Sequence, residues 1–311
     1  MIRIDGNKLA KETIGRLRIR RAVLKIVLVG HDRASEVFVE KKRRIAESLG
    51  VDFELKKYEE NVSEAEIIDQ INNWQGSHSK IGIVIQLPLP KHLNRDRLIQ
   101  AIKPENDVDG MLYCLCAGKY QISNIKYQKD KLKIPIKESV PTSRESGPTP
   151  EVFPDENNLT IQQFNNVFIP PVVLAIDRAI SESKIDLKAK KIVIVGRGFL
   201  VGQPLLAYLS AKYPESDIIA TGKDDQALME NIKQADVVIG AAGASGIIAP
   251  EMIKPGTVLI DAGSAEENGA LKGNILPGSY QKSSFYTPVP GGIGPLTIAY
   301  LFENLSNGCD L

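Results

Sequence analysis

The chain has 311 residues, 43% of them hydrophobic and 25% charged, and its 39 Lys and Arg nearly balance 38 Asp and Glu. That length accommodates roughly two domains of ordinary size, and the composition is that of a soluble globular protein. A net charge of +1 gives no field for steering a polyanion, and no apolar run reaches the roughly 18–20 residues that span a bilayer, so nucleic-acid partners and membrane spans are set aside.

The N-terminus, "MIRIDGNKLAKE", lacks the apolar core of a signal peptide, and a cytoplasmic protein is expected. Next come three strand-like runs, "VLKIVLVG" (23–30), "DFELKKY" (52–58) and "IGIVIQL" (81–87). Helical patterns separate them at 36–49, with Ser35 as cap, and at 64–74, opened by the capping box Ser63-x-x-Glu66. A further helix, "RDRLIQAI", follows His92. This β-α-β-α order predicts a parallel sheet covered by helices. Residues 119–167 include "KESVPTSRESGPTPEVFPDENN", rich in Pro, Ser and Glu, and read as a long exposed loop or insertion.

The order then restarts. A helix near 170–184 leads to "KIVIVG" (191–196), a helix, "SDIIAT" (216–221), another helix, "ADVVIGAAG" (235–243) and "TVLIDAG" (257–263). A last helix runs from Pro295 to about Leu305, with Pro in the first turn, where a missing N–H costs nothing. The fold class is therefore α/β in two units. His31, His78 and His92 show no metal or triad spacing. Cys114, Cys116 and Cys309 form no disulfide framework and are expected to be reduced; no metal site is expected.

"KIVIVGRGFLVGQPLLAYL" reads as a buried strand, a glycine-rich turn and a helix. Gly196 and Gly198 permit a tight turn and close backbone approach to a pyrophosphate, and the following helix start supplies amide donors. Gly202 stands one residue later than the G-x-G-x-x-G fingerprint places its third glycine. At the ribose end, Asp224 and Asp225 suit NAD, whereas Arg197 and Lys223 suit a 2′-phosphate. The reading favours NADP, with NAD as the alternative and ordinary loop charge as the bland one.

In the helix of 36–49, Phe38, Lys42, Ile45 and Leu49 fall on one stripe, the stripe that faces a core. Lys41 lies off its edge, and Arg43 and Arg44 point away. A lysine on that stripe either snorkels outward or sits in a pocket where desolvation lowers its pKa. Gln86 ends the strand before "LPLP", at the carboxyl edge where open α/β sheets place ligands. Asp109, in "NDVDG", is either an Asx-turn acid or a ligand contact.

These residues, with "VGHDRASEVFVEKK" (29–42), "GIVIQLPLP" (82–90), "PENDVDG" (104–110), "VGRGFLVGQP" (195–204), "IKPGTVLIDAG" (253–263) and "TPVPGGIGPLT" (287–297), resemble the bifunctional methylenetetrahydrofolate dehydrogenase/methenyltetrahydrofolate cyclohydrolase family. The resemblance covers nearly the whole chain outside 119–167. It implies a three-layer α/β catalytic, folate-binding domain (1–118 and 288–311), a Rossmann-type NAD(P)-binding domain (168–287), and a C-terminal helix returning to the first. It also implies a homodimer acting on a folate in the cleft. On this resemblance, Lys42 works at the one-carbon unit, Gln86 orients it and Asp109 hydrogen-bonds the pterin. Phe38 stacks on the folate, and Pro288, Pro290, Gly291 and Gly292 close the site. Gly196, Arg197, Gly198, Gly202 and Lys223 hold NADP.

The chain departs from the family pattern at the site. Phe38 stands for a tyrosine, Gly198 for the serine of Gly-Arg-Ser, Cys116 for an asparagine and Asn274 for an aspartate. Thr221-Gly222-Lys223 stands for Cys-His-Ser, and a Pro-Cys-Thr-Pro segment is absent. On the residues alone, an oxidoreductase of the same architecture with another substrate, or a dinucleotide-binding protein without chemistry, also fits.

Overall fold

The first sheet has β2 (Ala22–Val29) at its centre, paired in parallel with β3 (Asp52–Tyr58) on one side and β4 (Lys80–Ile85) on the other. This computed structural model describes residues 1–76, 80–119, 167–263, 265–267 and 270–308. His78, Cys309 and the expected loop, apart from its ends at Lys119 and Val167, lie outside the described residues.

Side chains alternate across the first sheet, as strand geometry requires. Leu24, Ile26 and Val84 face one layer, with Val39 and Ala46 of α2 (Arg33–Leu49). Val27, Val29, Ile83 and Ile85 face the other, with Ile67 and Ile71 of α3 (Glu64–Gln75) and Leu98 and Ile99 of α4 (Arg95–Gln100). Both faces are covered, the normal condition of a parallel sheet.

The second sheet is six-stranded and wholly parallel. Its centre is formed by β5 (Lys191–Val195), β6 (Asp217–Thr221), β7 (Val237–Gly240) and β8 (Thr257–Asp261), in the spatial order β6-β5-β7-β8. The chain leaves β5 toward β6 and then crosses back to β7. The carboxyl end of β5 is thus the switch point at which such sheets bind ligands. The short strands β11 (Ser283–Tyr286) and β1 (Ile2–Arg3) complete the edge. An antiparallel pair, β9 (Ala265–Glu267) and β10 (Ala270–Lys272), stands apart. Helices α6 (Pro171–Ser183), α7 (Gly202–Lys212) and α8 (Leu228–Gln234) cover the sheet.

The C-terminal helix α9 (Ile293–Asn307) returns to the first domain, where Leu301, Phe302 and Leu305 share the layer of Leu24 and Ile26. The Asn304 side chain donates at 3.0 Å to the carbonyls of Val108 and Ile169, tying α9 to the turn at Val108 and to the segment that leads into α6.

Besides the pair β9 and β10, four elements had not been expected. The strand β1 has two residues, and α1 (Gly6–Arg16) buries a stripe of small or polar residues with one leucine, Gly6, Leu9, Ala10 and Thr13, behind its Asp5 cap, which accepts from Lys8 N at 3.0 Å. The helix α5 (Met111–Lys119) is buried on every side from Met111 to Ala117, so its sequence shows no stripe. The strand β11 is short and serine-rich. Its pairing with β1 carries Ile4 and Leu9 into the core of the second domain, across the division at 118.

The helix α2 begins earlier than expected. Its cap is Asp32, whose carboxylate accepts from Ser35 N at 2.8 Å, so Ser35 is inside the helix. The buried stripe is Ser35, Val39, Lys42 and Ala46. Phe38, Ile45 and Leu49 flank it half-buried. Lys42 lies on the buried stripe by either count.

Candidate active site

Lys42 is 8% exposed, whereas Lys41, Arg43 and Arg44 face solvent. The two arginines bind Glu40, and Lys41 sits 5.3 Å from the centroid of the Phe38 ring. The basic run is therefore a solvated face with one buried member.

Lys42 reaches the end of β4. The backbone N–H of Gln86 still pairs with Val27 O at 2.9 Å, and the chain then turns through the cis Leu87–Pro88 bond. The Gln86 Nε2 donates to Leu87 O at 3.0 Å, which turns Oε1 toward the lysine. Lys42 Nζ donates to that oxygen at 3.2 Å. An ammonium has three donors, so two remain for a ligand. The same carbonyl, Leu87 O, lies 3.1 Å from Ser35 Oγ, whose proton serves the shorter 2.6 Å contact to Asp32.

Asp109 is half-buried in the turn that leads to α5 and makes no side-chain hydrogen bond or ion pair among the described residues. The structural work of an Asx acid is done two residues earlier. Asp107 is fully buried and accepts from Met111 N at 3.0 Å and Leu112 N at 2.7 Å. Burial pushes its carboxyl up to about 8, opposed by those two amides. Gly110, at φ +67°, allows the turn: a Cβ there would lie 2.6 Å from Pro170 N. Asp109 is thus presented on a separate loop, without a hydrogen bond to Lys42 or Gln86.

The segment from Pro288 to Gly292 is held against the start of α1. Gly6 N donates to Gly291 O at 2.9 Å, and a Cβ on Gly6 would meet Gly292 O at 1.8 Å. Val289–Pro290 is cis; Pro288 and Gly292 are buried, Gly291 is half-buried and Pro290 is exposed. Asp261, at the end of β8, braces this region: its N–H donates to Thr287 Oγ1 at 2.7 Å, and its carboxylate accepts from Asn274 N and Ile275 N. Burial raises that carboxyl to about 6, opposed by those two amides and by Gly263 N, which also donates to it at 3.1 Å. Asn274 in turn donates Nδ2 to the carbonyls of Ala242 and Ala244, a bond that an aspartate could not supply.

At the second sheet, Gly196 has φ +129°, and a Cβ there would lie 2.4 Å from Ala241 O. A Cβ on Gly202 would lie 2.1 Å from Gly196 O. The late third glycine is accommodated by a turn at 199–201, and it still permits close packing of helix on turn. The start of α7 has no side-chain cap; Gln203 N already donates to Gly198 O at 3.1 Å and Pro204 has no N–H, so the Gly202 amide is the one left for an anion. This cradle fits a pyrophosphate. Gly198 is exposed and meets nothing within 4 Å, so the fold does not require glycine there.

The ribose end differs from the expected arrangement. Arg197 is paired with Asp225, which also accepts from Thr221 Oγ1 and Gly222 N, each at 2.9 Å. Asp224 and Lys223 are exposed. Of the two cations singled out from the sequence, only Lys223 stands clear of a carboxylate. Asp107, Asp225 and Asp261 are the site residues that sequence reasoning passed over or left unresolved. The cue for Asp107 was its place just before a wholly apolar helix.

Two family profiles match the chain: the tetrahydrofolate dehydrogenase/cyclohydrolase catalytic domain over residues 4–109 and the NAD(P)-binding domain of the same enzymes over 170–310. The bifunctional protein FolD of Staphylococcus aureus is 31% identical over 312 aligned positions, covering 97% of this chain and 94% of that protein. The crystal structure of the Campylobacter jejuni FolD dehydrogenase/cyclohydrolase superposes with a TM-score of 0.78 at 26% identity, covering 100% of this chain and 99% of that one. The Trypanosoma brucei dehydrogenase-cyclohydrolase, solved with NADP and an inhibitor, shares the fold with a TM-score of 0.78 at 22% identity, covering 100% and 97%. With both domains matched in order and the cradle and lysine in place, the chain belongs to the bifunctional methylenetetrahydrofolate dehydrogenase/cyclohydrolase family.

Proposed function

We propose that the protein oxidises 5,10-methylenetetrahydrofolate to the methenyl form and hydrolyses that product to 10-formyltetrahydrofolate, with Lys42, Gln86 and Asp109 as its working side chains. The observation that carries the reading is the buried Lys42 Nζ held 3.2 Å from Gln86 Oε1. A neutral amide orients the amine without cancelling its charge, which a carboxylate would do.

The methenyl cation takes up water, and the bond from the one-carbon unit to N5 then opens. Lys42, as the ammonium, delivers a proton to the departing nitrogen and regains one from the added hydroxyl; the other proton of the water leaves to solvent, so the net reaction releases one proton. Asp109, with no structural bond to satisfy, suits the paired N–H donors of the pterin ring. Phe38, one helical turn before Lys42, supplies a ring face for the folate, and the segment from Pro288 to Gly292 closes the opposite side. A bound NADP⁺ supplies the hydride acceptor. Gly196, Gly198 and Gly202 with the start of α7 would hold its pyrophosphate, and Arg197 and Lys223 its ribose phosphate. A cytoplasmic homodimer completes the reading; no helix among the described residues is long and apolar enough to cross a membrane.

The test is the absorbance of the methenyl product when methylenetetrahydrofolate is supplied with NADP⁺ or NAD⁺, followed by its decay on hydrolysis. Formation and decay with NADP⁺ are expected. No turnover with either dinucleotide would overturn the reading.

A further inference from the structure

The glycine-rich turn follows a strand of the second sheet, yet its Phe199 packs into the first domain. The ring joins the layer of Ile83, Ile85 and Ile99, beside Leu87 and Leu89, and is absent from both cores of the second domain. Val201, two residues on, packs the other way, into the second domain. The turn therefore has one foot in each core. Arg95, the first residue of α4, lays its guanidinium over the Phe199 ring, with Cζ 3.6 Å from the centroid. Asp96 accepts from Arg95 Nε at 2.8 Å and fixes the plane of that fork. A planar cation stacked on a ring face and oriented by a carboxylate is a favourable and directional contact. The neighbours Arg197, Gly198 and Leu200 are exposed, so the turn has no need of an aromatic for its own folding.

The geometry points to Phe199 and Arg95 as positioning residues, a latch that fixes the dinucleotide turn relative to the Lys42–Gln86 pair. Hydride transfer requires groups from both domains at near-contact distance, and its rate falls steeply with misplacement. Water addition requires the folate and the first domain's own side chains. The latch should therefore matter to one activity and not to the other. This inference rests on the two-activity reading above.

Phe199→Ala and Arg95→Met are to be compared with the wild-type full chain. Each is expected to lower dehydrogenase kcat about tenfold, while hydrolysis of added methenyltetrahydrofolate and the Kd for NADP⁺ by calorimetry stay within about threefold. Phe199→Tyr should restore the rate, and the double variant should be no worse than either single one, because both remove the same contact. Equal losses in both activities, or no loss in either, would overturn the latch. Amide hydrogen exchange without ligand reads it independently of catalysis: residues 197–202 should exchange faster in Phe199→Ala, and unchanged exchange would also overturn it. Faster exchange in a chain whose wild type turns over neither folate would keep the latch and sink the two-activity reading.

Discussion

Lys42 and Arg197 both bring a positive charge toward the carboxyl edge of a parallel sheet, but they are held in opposite ways. Lys42 is 8% exposed and bound to a neutral amide, whereas the Arg197 side chain is 50% exposed and bound to a carboxylate. The first arrangement delivers a full charge to whatever enters, in a place where water screens little. The second cancels the charge until a ligand displaces Asp225, in a place where screening is strong. The side proposed for the folate is thus set in advance by part-buried bonds, and the side proposed for the ribose is left to surface charges that can be rebalanced cheaply.

The contrast can be broken most severely at the cradle. Gly202→Val places carbon where Gly196 O already lies, since even a Cβ would be 2.1 Å away. The turn must shift by more than an ångström, and dehydrogenase kcat/KM should fall about a hundredfold. Hydrolysis of methenyltetrahydrofolate should persist, and a parallel assay of both reactions checks the split.

Gln86→Ala addresses the other side. It leaves the Lys42 amine without its acceptor, and cyclohydrolase kcat should drop about tenfold or more. Dinucleotide affinity, measured by calorimetry, should not move.

The ribose end is sharpened by Asp225→Asn, which frees Arg197 and removes a negative charge from the path of a 2′-phosphate. The ratio of NADP⁺ to NAD⁺ affinity should rise, by about fivefold, the most that an exposed pair of this kind is worth. An unchanged ratio would mean that Asp225 stands clear of the bound ribose.

The remaining effect is on stability. Asp107 titrates near 8 when folded against an ordinary value of 3.8, so between those limits the folded state binds more protons than the unfolded one. Stability is then fully present at low pH and falls as pH rises, by at most about 1.4 kcal/mol per pH unit. Asp261 adds to this fall only up to its own value of about 6. Urea midpoints measured between about pH 6 and 8 should decline in the wild type and flatten in Asp107→Asn.

Much of this organisation was legible in the sequence where a single physical pattern dominated. The strand Asp52–Tyr58 and the helix Glu64–Gln75 with its Ser63 cap match the reading closely, because period and capping residues agree. Lys42 was legible because one charge interrupts an apolar stripe. The stripe's centre was misjudged by one residue, since Val39 and Ala46 are as apolar as Phe38 and Ile45, and only packing decides between them. Helix α5 was missed for the opposite reason: residues buried all round carry no period. The Asp225–Arg197 pairing joins residues 28 apart, and only the fold places them together. Phe199 carries no signal of its own in the sequence, since its partner Arg95 lies in the other domain.

The most direct test of the central claim is the rate at which Lys42→Met hydrolyses methenyltetrahydrofolate, because methionine keeps the length and burial of the side chain and removes only the amine. The account predicts a loss of about 10²–10⁴-fold with an unchanged melting temperature. A rate close to that of the wild type would contradict it.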